Sequence, residues 1–161
     1  MALLSDQDHQ VLSERFAETL EKDVMVKLFT QSQARSLLIL PGQDQQSQSQ
    51  SNEFMKVTQE LLEELTSISP KLTLQVYDVF SDGADEAKRL QIEQLPAIVL
   101  GDDDEGRVRF YGAPVGNEFP TILTGIEALS KSGPMLTEEV AKVAVERIDE
   151  QVHLRVFVTP T

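Results

Sequence analysis

Leu95-Pro96-Ala97-Ile98-Val99-Leu100, followed by Gly101-Asp102-Asp103-Asp104-Glu105-Gly106 and then Arg107-Val108-Arg109-Phe110-Tyr111-Gly112, is the stretch that decides the fold. Its first six residues read as a strand with a proline at the start, its acidic middle as a turn, and its last six as a second strand, so a β-hairpin is predicted. A proline in a sheet forfeits a ladder hydrogen bond. Pro96 therefore marks either a tight special geometry with a cis Leu95-Pro96 bond or an ordinary trans proline opening a strand. Alternation along Arg107–Tyr111 puts Val108 and Phe110 inward and Tyr111 on the other face. Asp102–Glu105 lacks EF-hand spacing and reads as a solvated turn rather than a calcium loop.

Moving outward toward the C-terminus, Gly112-Ala113-Pro114-Val115-Gly116 matches neither a dinucleotide fingerprint nor a P-loop and reads as the approach to a helix. That helix is predicted from Phe119 to Leu129, with Ile122, Leu123, Ile126 and Leu129 on one face and Asn117 as N-cap. Lys131–Pro134 is linker chemistry, Thr137 caps a helix bearing Val140, Val143, Ala144 and Ile148, and Val152–Val158 reads as a closing strand. Toward the N-terminus, Ala84–Leu90 has a short helical pattern and Leu72, Leu74 and Val76 alternate as in a strand. Phe54, Val57, Leu61, Leu62, Leu65 and Ile68 make one apolar stripe on a helix beginning at Glu53. The polar run Gln43–Asn52 (QDQQSQSQSN) is expected to be a mobile surface loop. One or both of Val24–Thr30 and Arg35–Leu40 should be strands, and Ser5 with Asp8 should cap a helix reaching about Glu21.

Composition narrows the function. Fourteen basic against 27 acidic residues give a formal charge of -13, a surface that repels phosphate backbones and anionic lipid, so neither nucleic acid nor membrane is an expected partner. The chain has no cysteine and two histidines, His9 and His153, at opposite ends, so no metal site and no cofactor are expected. No G-x-S-x-G occurs, and neither histidine has a nucleophile at a diagnostic spacing. Apolar runs such as Leu37–Leu40 and Ala97–Leu100 are far below the roughly 20 residues that span a bilayer. The opening MALLSDQDHQ lacks the basic start and apolar stretch of a secretory signal, which makes a cytoplasmic protein the expected reading.

Two segments carry a family resemblance. RVRFYGAPVGNEF, Arg107 to Phe119, and HLRVFVTPT, His153 to Thr161, are similar to the tandem glutaredoxin-like protein disulfide oxidoreductases of bacteria and archaea. The predicted order of strand, helix, strand, helix, hairpin, helix, with Pro96 opening the third strand, resembles the thioredoxin fold. The resemblance implies an α/β thioredoxin-like domain with a central mixed sheet flanked by helices over residues 1–130. Residues 131–161 are then the linker helix and first strand of a truncated second unit.

Members of that family carry Cys-x-x-Cys at a helix N-terminus, where unpaired N–H groups and the helix dipole lower a thiol pKa. By resemblance the pair falls near Gln45 and Gln48, degenerate redox positions that leave no catalytic residue here. Leu95 and Pro96 are carried over as the substrate-facing edge for a protein or peptide, and Thr161 as the residue before the second unit's expected nucleophile. Three readings of that ending stay open: a UGA selenocysteine codon, a redox-inactive binding module, and a fragment whose Val156, Phe157 and Val158 form an exposed edge prone to aggregation. A homodimer through the C-terminal helix and strand accompanies the second.

Overall fold

The computed structural model describes residues 3–31, 45–101, 106–132 and 136–157, with side chains of the second helix from Asn52 onward. The elements run α1 (Asp6–Thr19), β1 (Val24–Thr30), α2 (Gln45–Ser67), β2 (Leu72–Asp78), α3 (Ala84–Arg89), β3 (Ala97–Leu100), β4 (Val108–Tyr111), a 3₁₀ turn (Gly116–Glu118), α4 (Phe119–Ser130) and α5 (Glu138–Arg147). The four strands form one sheet in the order β2-β1-β3-β4. β1 and β2 are parallel, as a helical crossover such as α2 requires, while β1–β3 and β3–β4 are antiparallel.

Alternation along β1 sorts the core into two halves. Val24, Val26 and Leu28 meet Leu12, Phe16 and Leu20 of α1, Leu62 and Leu65 of α2, and Ile122, Leu123 and Ile126 of α4. On the other face Phe29, Ala97 and Val99 pack against Ala87 and Leu90 of the short α3. β3 is buried along its whole length, which its continuous apolar run Ala97–Leu100 requires of a central strand. Ser5 and Asp8 close the expected capping box, with Ser5 Oγ accepting from Asp8 N–H at 3.2 Å and Asp8 Oδ2 accepting from Ser5 N–H at 3.0 Å. α1 is tied to α4 by Arg15, whose Nη2 donates to Glu127 Oε2 at 2.9 Å, and by Thr19 Oγ1 donating to Glu127 Oε1 at 3.2 Å.

Several expectations need correction. The Gln/Ser run is helix from Gln45, not loop: glutamine is a good helix former, the run holds no glycine or proline, and it extends a helix that the Phe54–Ile68 stripe already nucleates. Asn117 lies inside the 3₁₀ turn, and Glu118 takes the N-cap position of α4 without a side-chain cap bond. Phe110 packs toward the core, but Val108 is 39% exposed, because β4 is an edge strand and Val108 pairs with Leu100 at the end of β3. Thr137 does cap α5, accepting from Val140 N–H at 3.4 Å. The strand expected over Val152–Val158 is not formed within residues 152–157, which pair with no strand among the described residues and leave Leu154, Val156 and Phe157 almost fully exposed. Arg35–Leu40, Asp102–Glu105, Val158 and Thr161 lie outside the described residues.

Candidate functional site

The Leu95-Pro96 bond is cis. Pro96 is buried, and its carbonyl oxygen accepts from Gly112 N–H at 2.9 Å, which fastens the start of β3 to the end of β4. Gly112 sits at φ 101°, a conformation that glycine adopts without steric cost. Leu95 is half-buried against the Phe29–Leu90 cluster. Because Phe29 pairs with Ala97, continuing the register brings Pro96 alongside Thr30, the last residue of β1. Of the two readings of this bond, the structure selects cis.

Gln45 and Gln48 occupy the first turn of α2, one i,i+3 step apart. Their side chains, and Thr161, are outside the described residues. With no cysteine among the 161 residues, this chain supplies no thiolate for exchange chemistry.

An open cavity of about 370 Å³ lies where the C-terminal ends of β1 and β2 meet α2, lined by Thr30, Gln31, Met55, Lys56, Gln59, Val76, Asp78 and Asp82, with Asn52 at its margin. The i,i+4 pairs Asn52/Lys56 and Met55/Gln59 would have shown which face of α2 looks toward β2. Depth between a helix and an edge strand is a tertiary property, so the cavity itself carries no sequence signal. The histidines do not join it: His9 Nε2 is 4.0 Å from Glu64 Oε2, and His153 is exposed.

A four-stranded mixed sheet with this order, helices on both faces and a cis proline opening the third strand is a thioredoxin-like fold. Solved structures carry the same architecture. The chain is similar to the NTD_N/C domain of alkylhydroperoxide reductase AhpF from Enterococcus faecalis (V583), at TM-score 0.61 and 23% identity, covering 86% of this chain and 58% of that one. It is likewise similar to a protein disulfide oxidoreductase from Aeropyrum pernix K1, at TM-score 0.62 and 23% identity, covering 89% of this chain and 54% of that one. The chain therefore spans little more than half the length of these neighbours. No family model matches the sequence, and no curated protein does. Among the described residues no helix is long and apolar enough to cross a membrane.

Proposed function

We propose that this chain is a non-catalytic thioredoxin-fold unit of the disulfide-oxidoreductase type, which holds an extended peptide along the Leu95–Pro96 edge rather than exchanging disulfides with it. The observation that carries the reading is a retained cis proline edge in a chain without cysteine. Strand-edge recognition draws affinity from main-chain hydrogen bonds and selectivity from side-chain pockets, and needs no nucleophile. In this reading Gln45 and Gln48 stand where a thiol pair would be; their place in the first turn of α2 supports the carry-over. Residues 1–130 are the binding unit and 131–161 lead toward a second one, and a cytoplasmic location belongs to the same proposal.

The second reading is a stand-alone module that self-associates. It is favoured by α5, which buries no residue and leaves Val140, Val143 and Ile148 each at least half exposed.

Fluorescence anisotropy of labelled, cysteine-free extended peptides tests the main reading. The wild-type chain should bind and Leu95→Asp, which places a charge on the edge, should weaken binding about tenfold, or 1.4 kcal/mol. Equal binding by both proteins would reject the Pro96 edge as the site.

A further inference from the structure

We propose that β2 is a self-association edge: a second copy of this chain adds its own β2 antiparallel to it, about a two-fold axis through Gln75, and joins the two sheets. The inference goes beyond the peptide-binding reading and uses neither the Leu95–Pro96 edge nor α5.

The hydrogen-bond phase of the β1–β2 ladder is the starting observation. Val24 N–H donates to Lys71 O at 2.8 Å, and Val79 N–H donates to Thr30 O at 3.0 Å. With the register running from Val24↔Leu72 to Thr30↔Asp78, Thr73, Gln75 and Tyr77 therefore turn their backbone groups toward β1. Leu72, Leu74, Val76 and Asp78 turn theirs to the outer edge, where the sheet has no further strand among the described residues. The chain closes both ends of that edge itself. Leu72 N–H donates to Ser69 O at 3.1 Å, and Asp78 N–H donates to Asp82 Oδ1 at 3.2 Å. Between them Leu74 and Val76 each present an outward N–H and C=O that no described residue takes, one residue to either side of Gln75.

A second β2 matches this short window better than a longer strand does. Set antiparallel with Gln75 opposite Gln75, the protomers place Leu74 of each opposite Val76 of the other, and both pairs exchange their N–H···O bonds in full. The next outward pair, Leu72 opposite Asp78, has both N–H groups already bonded within each protomer, so a longer partner strand finds no donor there. Leu74 is half-buried and Val76 is 37% exposed on one face, and each covers the other across the axis. Gln75 is exposed on the opposite face. β2 also lacks the devices that keep edge strands apart: Leu72–Tyr77 contains no charge, proline or glycine, in a chain of which 25% is charged. A formal charge of -13 on each copy opposes the approach, so association strengthens as salt screens it. In the order β2-β1-β3-β4, pairing at β2 leaves the start of β3 on the far side of β1, so each protomer keeps its Leu95–Pro96 edge.

The test uses the full 161-residue chain, whose lack of cysteine makes an introduced thiol unique. Gln75→Cys places the two thiols directly opposite, on Cα atoms about 4.5 Å apart, inside the disulfide range. Thr73→Cys, on the same face of the same strand, places them on Cα atoms about 14 Å apart. In glutathione buffer Gln75→Cys should form a disulfide-linked dimer, and Thr73→Cys should not. In sedimentation velocity Gln75→Glu and Gln75→Lys should each associate about fivefold more weakly than wild type, because like charges meet at the axis, and their equimolar mixture should recover wild-type association. Crosslinking of Gln75→Cys no faster than that of Thr73→Cys, or a mixture no tighter than either variant alone, overturns the proposal. Wild-type association that weakens with added salt overturns it as well. Self-association that persists in those cases and is lost in Val143→Asp belongs to α5 instead. Peptide-induced shifts at Leu95 and Gly112 are independent of these results, so the peptide-binding reading stands or fails separately.

Discussion

Lys27 stands in the middle of β1 on the face covered by α3, only 6% exposed, with Nζ 3.3 Å from Glu86 Oε1. Arg89 reaches the same carboxylate through Nε at 2.8 Å and Nη2 at 2.7 Å. Arg89, and then Lys27, hold the Glu86 carboxyl down to about 2 from its ordinary 4.5. A carboxylate with a depressed folded-state pKa contributes stability that is complete above its unfolded pKa and is lost as pH falls through the folded one. Glu86→Gln should therefore lower unfolding stability by about 2 kcal/mol at neutral pH, the scale of hydrogen bonds to a charged group. Urea denaturation at several pH values checks this: the gap between wild type and variant should close between pH 4.5 and 2, and a gap independent of pH would contradict the assignment. Pro96 could be placed from sequence because a proline before Ala97–Leu100 is a local anomaly. The Lys27–Glu86 pair could not, since it depends on how distant segments meet.

At the scale of elements, α2 shows where local reading succeeds and where it stops. The Phe54–Ile68 stripe announces the helix because a core face must repeat at helical spacing. Gln45–Asn52 has no such face, so composition pointed to a loop, while propensity and continuity with a formed helix decide otherwise. That extension puts Gln45 and Gln48 in a first helical turn, where i,i+3 Cα atoms lie about 5 Å apart, inside the disulfide range of about 4.4–6.8 Å. The double variant Gln45→Cys/Gln48→Cys should thus close an intrachain bridge in glutathione buffer, seen as protection of both thiols from alkylation. Two freely alkylated thiols would argue against their carry-over as redox positions. The tail fails for the opposite reason: Val152–Val158 has strand propensity, but propensity without a ladder partner yields no strand in residues 152–157. If α5 mediates self-association, sedimentation should show a dimer that Val143→Asp converts to monomer. A wild-type monomer at all concentrations would remove the stand-alone dimerisation reading.

For the molecule as a whole, the thioredoxin-like order was legible because its strands and helices alternate with distinct periodicities and short punctuating segments. The sheet's two-sided core follows from β1 alternation alone. The proposed peptide surface is less local, since it joins the start of β3 to the end of β4, segments far apart in the chain. In the proposed function this fold, without cysteine, binds peptide along the cis proline edge. A residue-by-residue ¹⁵N titration of the 161-residue chain with a cysteine-free extended peptide tests it most directly. Saturable shifts centred on Leu95, Ala97, Tyr111 and Gly112 are expected; a titration that leaves those four amides unmoved would contradict peptide binding at this edge.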